Sequence, residues 1–186
     1  MRHGFTRVLG STTILALSLA GSAHAEVAPG LDAHLSYGLR RDHLGFGLNA
    51  RAATDLPALP SLQLEGLFGY TALRYEDDGT VTWSRFFRPM VGASLGLGTS
   101  ARAEAFLHVG YARYWRASTN TYVASMPTQS DSANGLGVHV GGAFVLEPRS
   151  TFSVAIQVAY NNTWLGDATS DTLHWLDFGL RGVLHF

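Results

Sequence analysis

The chain has 186 residues and no cysteine, and its 13 basic side chains, all of them arginine, nearly balance its 14 acidic ones. The net charge of −1 gives no basic footprint for nucleic-acid binding, and a chain without cysteine has no disulfide or thiol chemistry. Beyond the N-terminal segment, no stretch is apolar for the roughly 18 residues that a membrane-spanning helix needs. The length suits a single domain.

Residues 1–25 predict a secretory signal peptide. Two arginines begin the segment, an apolar run follows over residues 8–20, and Ala23-His24-Ala25 forms an A-x-A cleavage site. The apolar run is too short, and too often interrupted by Ser, Thr and Gly, to favour the alternative of an N-terminal anchor helix. We therefore expect export and cleavage, which leave one mature domain of residues 26–186 with 11 arginines, 14 acidic side chains and a net charge of 11 − 14 = −3.

Residues 176–186 alternate strictly between two faces, which indicates a β-strand. One face consists of Leu176, Phe178, Leu180, Gly182, Leu184 and Phe186. The other face consists of Asp177, Gly179, Arg181, Val183 and His185. Charges opposite a continuous apolar face are typical of a transmembrane barrel, in which the apolar side faces lipid and the polar side faces the lumen.

The same alternation recurs along the rest of the mature chain. The alternating segments are residues 31–40, 44–52, 62–70, 87–97, 103–111, 136–144, 152–160 and 176–186. They predict an all-β fold, an eight-stranded antiparallel up-and-down transmembrane β-barrel, and an even strand number is typical of bacterial barrels. The mostly shorter connections, interpreted as periplasmic turns, are 55–60, 98–100 and 147–149. The mostly longer ones, interpreted as surface loops, are 76–79, 116–134 and 161–172.

Polar and charged side chains on the inward face form a predicted lumen network. Its members are Asp32, His34, Arg51, Glu65, Glu104, His108, His139, Asp177 and Arg181. Counting strand positions from the periplasmic end predicts that Arg51 pairs with Glu65, and that Arg181 pairs with Asp32 across the closing seam. Because charges removed from water need partners, we expect the network to be structural. Glycine is frequent on the same face, so side chains should plug a lumen of this size.

The lumen histidines raise two chemical alternatives. His108 and His139 fall at similar heights on neighbouring strands, but Glu104 is the only further candidate ligand, so we predict no metal site. His34 and Ser36 have the spacing of a lipid A deacylase, in which a His and a Ser lie two residues apart on a strand. Both face the lumen in the predicted register, whereas acyl chains lie outside the barrel. We therefore assign no catalytic residue and no cofactor.

The alternating strands and charged lumen are accompanied by aromatic side chains near both strand ends. Those near the surface end are Tyr37, Tyr70, Trp83, Phe87, Tyr111, Trp115 and Tyr160, and those at the opposite rim are Phe144, Phe152 and Phe186. Together these features resemble the small eight-stranded outer-membrane β-barrel family of OmpA barrels, OmpX and the opacity proteins. In that family the C-terminal strand is read by the barrel-assembly machinery, which implies an assembly signal here at Phe178, Leu180, Leu184 and Phe186.

The resemblance implies a monomeric protein of the Gram-negative outer membrane that contacts membrane lipid and lipopolysaccharide and has no nucleic-acid partner. We expect a structural or surface-interaction role, with the loops after the fifth and seventh strands as contact sites. A lipid A-modifying enzyme of the deacylase kind is the first alternative, and a narrow pore is the second.

Overall fold

The structure, a computed structural model, describes residues 27–39, 43–56, 58–98, 101–120, 129–146, 151–166 and 172–185. The predicted signal peptide at residues 1–25 and the C-terminal Phe186 lie outside these residues, so both remain predictions. Among the described residues, no helix has the length and hydropathy needed to cross a membrane.

Eight antiparallel strands form one closed barrel, in which consecutive strands pair and β1 pairs with β8. The strands are β1 (Val27–Gly38), β2 (His43–Leu56), β3 (Leu59–Asp77), β4 (Thr80–Leu97), β5 (Ala101–Asn120), β6 (Gln129–Leu146), β7 (Phe152–Gly166) and β8 (Thr172–Leu184). This up-and-down arrangement confirms the predicted fold class. Closure gives every strand two hydrogen-bonded neighbours, which removes the exposed edges of an open sheet.

The strands fall into two groups by length. β3, β4, β5 and β6 have 18–20 residues, whereas β1, β2, β7 and β8 have 12–15. The loop predicted at 116–134 is therefore wrong in its bounds, because β5 continues to Asn120 and β6 begins at Gln129. These extensions are rich in Ser, Thr and Asn, so backbone pairing continues after the apolar alternation has stopped.

Two further predicted loops are also largely strand. β7 runs to Gly166, and the side chains of Asn161 and Thr163 are completely buried inside the barrel instead of lying in a loop. Within the loop predicted at 76–79, the turn itself consists of Asp78 and Gly79, with φ angles of 43° and 70°. Left-handed conformations at both central positions match the two-residue hairpin turns that favour Asp-Gly.

The outer surface of the barrel carries the large apolar side chains. Leu35 is 70% exposed, and Ile156 and Leu180 are each 59% exposed. Phe178 and Leu184, two members of the implied assembly signal, also point outward. An apolar surface that encircles the molecule is typical of a barrel that faces lipid, because exposure of such a surface to water is unfavourable.

Inward-facing glycines make room for large side chains of neighbouring strands. A β-carbon at Gly47 would overlap Nε2 of His34, and one at Gly92 would lie 2.7 Å from Cδ2 of His108. The interior of an eight-stranded barrel is only wide enough for side chains to fill it. A large inward residue on one strand therefore requires a small residue on the next.

Replacing Leu180 with arginine should destabilise the barrel, because the side chain points outward near the middle of β8. A charge at the bilayer midplane costs about 2–4 kcal/mol of unfolding free energy, and a charge near the interface costs about 0–1 kcal/mol. The matched control is Ser132→Arg, an exposed position on the polar extension of β6. Guanidinium unfolding in lipid vesicles measures both free energies. Equal losses in the two variants would contradict the lipid-facing assignment of Leu180.

Candidate functional site

The inward-facing side chains fill the barrel in layers. We call the end where β1 begins and β8 ends the terminal end, and the opposite end the loop end. Charged side chains lie at the terminal end, a second polar layer surrounds Asp177, and an aromatic cluster lies at the loop end. All nine residues of the predicted lumen network point inward; Glu104 is partly buried and the other eight are buried.

Glu65, on β3, is the centre of the charged layer at the terminal end. Its carboxylate forms an ion pair with Arg51 of β2, the pairing that strand counting predicts. Nε2 of His108 lies 2.6 Å from Oε2 of Glu65, and Oγ of Ser94 donates to Oε1 at 2.6 Å. Partners from β2, β4 and β5 thus compensate a carboxylate that would be costly to bury alone.

Glu104, on β5, binds two arginines. Arg181 of β8 donates to Oε2 of Glu104, and Nε of Arg102 lies 3.3 Å from Oε1. The predicted side-chain pair of Arg181 with Asp32 is therefore wrong, although the two residues are backbone partners across the β1–β8 seam. The long Arg181 side chain crosses the lumen to β5, and strand counting cannot find such a contact because it considers only neighbouring strands.

Arg88, on β4, is a fully buried charge absent from the predicted network. Its guanidinium donates to Oδ1 of Asn161 and to Oγ1 of Thr71, the latter at 3.1 Å. Its Nη2 lies 3.9 Å from Oδ2 of Asp177, and its Cζ lies 4.8 Å from the ring centre of Trp175. Position 88 has the parity of the inward positions 92, 94 and 96, so extending the β4 alternation toward its N-terminus identifies it.

Asp177 connects the first and last strands across the closing seam. Oγ of Ser36 donates to Oδ1 of Asp177 at 2.6 Å, and Nδ2 of Asn161 donates to Oδ2 at 2.7 Å. Nε2 of His34 lies 3.5 Å from Oδ2. A serine nucleophile is normally activated by a hydrogen bond to a histidine, which an acid orients in turn. Here Ser36 instead donates its hydrogen bond directly to the acid, Asp177. Both His34 and Ser36 are buried in the lumen, away from lipid acyl chains.

His108 and His139 are backbone partners on β5 and β6, with ring centres 5.5 Å apart. Nδ1 of His139 lies 2.8 Å from Oδ1 of Asn161, and its ring stacks on Phe106 with centres 5.1 Å apart. Within the part of the chain that the structure describes, no group of three or more His, Asp or Glu side chains is arranged to hold a metal ion. Both rings serve as hydrogen-bonding and packing groups of the lumen.

Aromatic rings fill the lumen at the loop end. The ring centre of Phe86 lies 4.6 Å from that of Trp175 and 5.2 Å from that of Tyr114, and Leu73 and Ala133 complete the buried cluster. The prediction of a plugged lumen did not include these residues. The expected pattern of polar residues inside and apolar residues outside does not reveal them, because it is reversed at this height: the inward side chains are apolar and outward neighbours such as Arg85 and Arg113 are charged.

A second candidate site lies on the outer wall of β4 and β5, beyond the apolar band. Arg85 and Arg113 are exposed and point outward. They are diagonal neighbours, because Arg85 is the backbone partner of Trp115 and Arg113 that of Phe87. Cζ of Arg113 lies 5.1 Å from the ring centre of Trp115. We call Arg85, Arg113, Trp83 and Trp115 the arginine–aromatic patch.

The two patch arginines form no salt bridge with any residue that the structure describes. Neither Arg85 nor Arg113 has a carboxylate within 4 Å among these residues, whereas Nη2 of Arg74, on the neighbouring β3, lies 2.5 Å from Oε2 of Glu76. An adjoining groove of about 420 Å³ is lined by Trp83, Arg85, Trp115, Arg116, Ala117, Ser130, Asp131 and Ser132. Guanidinium groups beside aromatic surface suit an anionic ligand with an apolar portion.

Replacing the buried Arg88 with methionine should lower the unfolding free energy by about 3–5 kcal/mol, because the change leaves the Asp177 carboxylate without its arginine. The matched control is Arg85→Met on the same strand, which removes an exposed arginine and should change stability by no more than about 0.5 kcal/mol. Urea unfolding of the folded barrel in lipid compares the two variants. An Arg88 variant as stable as the Arg85 variant would exclude a structural role for the central charge.

No protein-family model and no curated protein matches the chain. Solved structures do resemble it in fold, among them the following three. Ail of Yersinia pestis, solved with the heparin analogue sucrose octasulfate, has 14% identity and a TM-score of 0.57 over 88% of this chain and 100% of its own. A major outer-membrane protein of Thermus thermophilus has 14% identity and a TM-score of 0.60 over 86% and 99%. Neisserial surface protein A has 12% identity and a TM-score of 0.52 over 88% and 98%. The chain therefore has the fold of the small eight-stranded outer-membrane β-barrels.

Proposed function

We propose that the protein is a surface-interaction barrel of the Gram-negative outer membrane, and that its arginine–aromatic patch binds the anionic headgroups of lipopolysaccharide. The observation that carries the proposal is the pair of exposed arginines, Arg85 and Arg113, at the edge of the apolar band, neither of which has a carboxylate within 4 Å among the described residues. The tips of the predicted contact loops, residues 121–128 and 167–171, lie outside the described residues. The proposal adds the outer wall of β4 and β5 as a contact surface.

The height of the patch favours contact with headgroups over contact with acyl chains. On β4 the outward positions are apolar from Leu97 to Phe87, and Arg85 is the next outward residue. Trp115 lies opposite Arg85, and Trp83 is the next outward residue on β4; tryptophan is enriched at the membrane–water interface. An arginine beside an anionic lipid surface contributes about 1 kcal/mol of binding free energy.

A patch in the outer leaflet orients the barrel with its terminal end toward the periplasm. This orientation agrees with the predicted signal peptide at residues 1–25 and with the assembly signal that the family resemblance implies in β8. The outer leaflet of a Gram-negative outer membrane contains lipopolysaccharide, whose lipid A carries phosphate groups. One guanidinium group can donate two parallel hydrogen bonds to the oxygens of one phosphate group, and this makes the contact geometrically specific. A monomer is sufficient, because one chain supplies the whole patch.

A structure of the same fold supports contact with a polyanion. Ail has been solved in complex with sucrose octasulfate, a sulfated sugar. A small outer-membrane barrel has therefore been observed with a multiply sulfated sugar bound. For this chain, the proposal depends on its own Arg85 and Arg113 and on the aromatic surface beside them.

The lumen favours neither an enzyme nor a pore. His34 and Ser36 are buried inside the barrel and both contact Asp177, so they do not present a nucleophile to lipid A. Phe86 and Trp175 pack ring against ring across the lumen at the loop end. We therefore propose a role that resides on the outer surface, with the lumen network as its structural support.

The double variant Arg85→Gln/Arg113→Gln should bind lipopolysaccharide about thirtyfold more weakly, because each arginine contributes about 1 kcal/mol at an anionic surface and 1.4 kcal/mol corresponds to a factor of about ten. The matched control is Arg74→Gln, which removes an arginine already paired with Glu76 and should change the affinity little. Titration of the purified barrel in neutral-lipid vesicles with lipid A measures the affinity.

Dephosphorylated lipid A separates headgroup charge from acyl-chain contact in the same assay. It should bind the unmodified barrel as weakly as phosphorylated lipid A binds the double variant. The proposal fails if the double variant retains full affinity, or if removal of the phosphates has no effect.

A further inference from the structure

A small cavity lies in the terminal end of the lumen, opposite to the arginine–aromatic patch. It has a volume of about 40 Å³ and is partly open to the outside. Because one water molecule needs about 10–15 Å³ of such volume, the cavity holds about three water-sized positions. Its charged lining consists of Arg51, Glu65, Arg102, Glu104 and Arg181. We call it the terminal cavity.

The lining of the terminal cavity has more arginines than carboxylates. Arg51 shares Glu65 with His108, and Arg102 and Arg181 both bind the single carboxylate of Glu104. Three guanidinium groups therefore face two carboxylates. Asp32 lies outside the lining but within electrostatic reach of Arg51. Within the lining itself, guanidinium donors therefore outnumber carboxylate acceptors.

Each of the three arginines also has buried N–H groups without a protein acceptor. They are Nε of Arg51, Nη2 of Arg102, and Nε and Nη1 of Arg181. Leaving a buried donor unsatisfied costs about 1–3 kcal/mol, and more for a charged group. An oxyanion in the cavity can accept hydrogen bonds from more than one of these guanidinium groups at once.

Gly96 positions the Arg102 side chain. A β-carbon at Gly96 would overlap Nε and Cζ of Arg102, so the guanidinium lies directly against the glycine. The nearest atoms to such a β-carbon all belong to this one side chain. A methyl group at position 96 would therefore displace the Arg102 guanidinium while leaving its charge and the neighbouring backbone in place.

The remaining lining of the terminal cavity combines the polar Gln63, Ser153 and His185 with apolar side chains. The apolar side chains are Ala28, Ala53, Val145 and Val183. Arginine–anion hydrogen bonds strengthen in such a setting, because the local dielectric constant is lower than that of water. Convergent charged donors beside apolar side chains are the usual composition of a site for a small ligand.

We propose that the terminal cavity binds a small oxyanion, with the chemistry of a carboxylate or phosphate group, which enters from the periplasmic side. Arg102 at the mouth and Arg181 deeper in the lumen donate to its oxygens, and Glu65 and Glu104 hold the guanidinium groups in place. This site is independent of the lipopolysaccharide contact, because it lies at the other end of the barrel and uses different arginines.

Calorimetric titration of the folded barrel in detergent micelles with sodium phosphate, and separately with sodium acetate, tests the proposal at constant ionic strength set with sodium chloride. We expect one saturable site for at least one of the two anions, and the more tightly bound one identifies the preferred oxyanion. Arg102→Gln and Gly96→Ala should each weaken that binding at least tenfold. Arg74→Gln, on the outer wall, should leave it unchanged.

Retention of the heat-sensitive gel mobility of a folded barrel shows that each variant is folded. Gly96→Ala keeps the charge of Arg102, so it also separates guanidinium position from net charge. The proposal is overturned if neither anion gives a saturable signal above chloride, or if the Arg102 and Gly96 variants bind as tightly as the unmodified barrel.

Discussion

The pairing of charged side chains inside a narrow lumen is the constraint on which the rest of the structure depends. Eight strands leave space for side chains but not for bulk water, so each buried charge needs a partner from another strand. Glu65 draws its partners from β2, β4 and β5, and Asp177 draws its own from β1, β4 and β7. Because these contacts join strands distant in the chain, they also fix the register in which the barrel closes.

The two candidate binding sites lie where this pairing ends. Across the described part of the lumen below the aromatic cluster, the four arginines 51, 88, 102 and 181 face the four acidic residues 32, 65, 104 and 177. At the terminal end, three guanidinium groups share two carboxylates. On the outer wall beyond the apolar band, Arg85 and Arg113 have no carboxylate nearby among the described residues. The two proposed anion sites therefore lie at opposite ends of the barrel, where guanidinium groups have donors without a protein acceptor or no carboxylate within 4 Å among the described residues.

The alternation of polar and apolar residues is sufficient to predict the number of strands, the fold class and the inward orientation of the nine lumen residues. It is sufficient because the outer face of each strand contacts lipid and must be apolar, whereas the inner face lines the lumen and can be polar. The alternation does not predict the structure where the inner and outer faces no longer differ in this way. Phe86 and Trp175 face inward but are apolar, and the extensions of β5 and β6 are polar on both faces. Arg181 reaches Glu104 across the lumen, which depends on side-chain length and barrel shear. The inward orientation of Arg88 could have been predicted from the sequence, because position 88 has the same parity as the inward positions of β4.

The central claim is that the apolar side chains face lipid around a closed barrel of paired charges. Membrane fractionation, followed by gel electrophoresis with and without boiling, tests it most directly. Recovery in the outer membrane, with a band whose mobility changes on boiling, is the predicted result, because a closed barrel resists detergent until heat opens it. Recovery in the soluble fraction without a mobility change would contradict the claim.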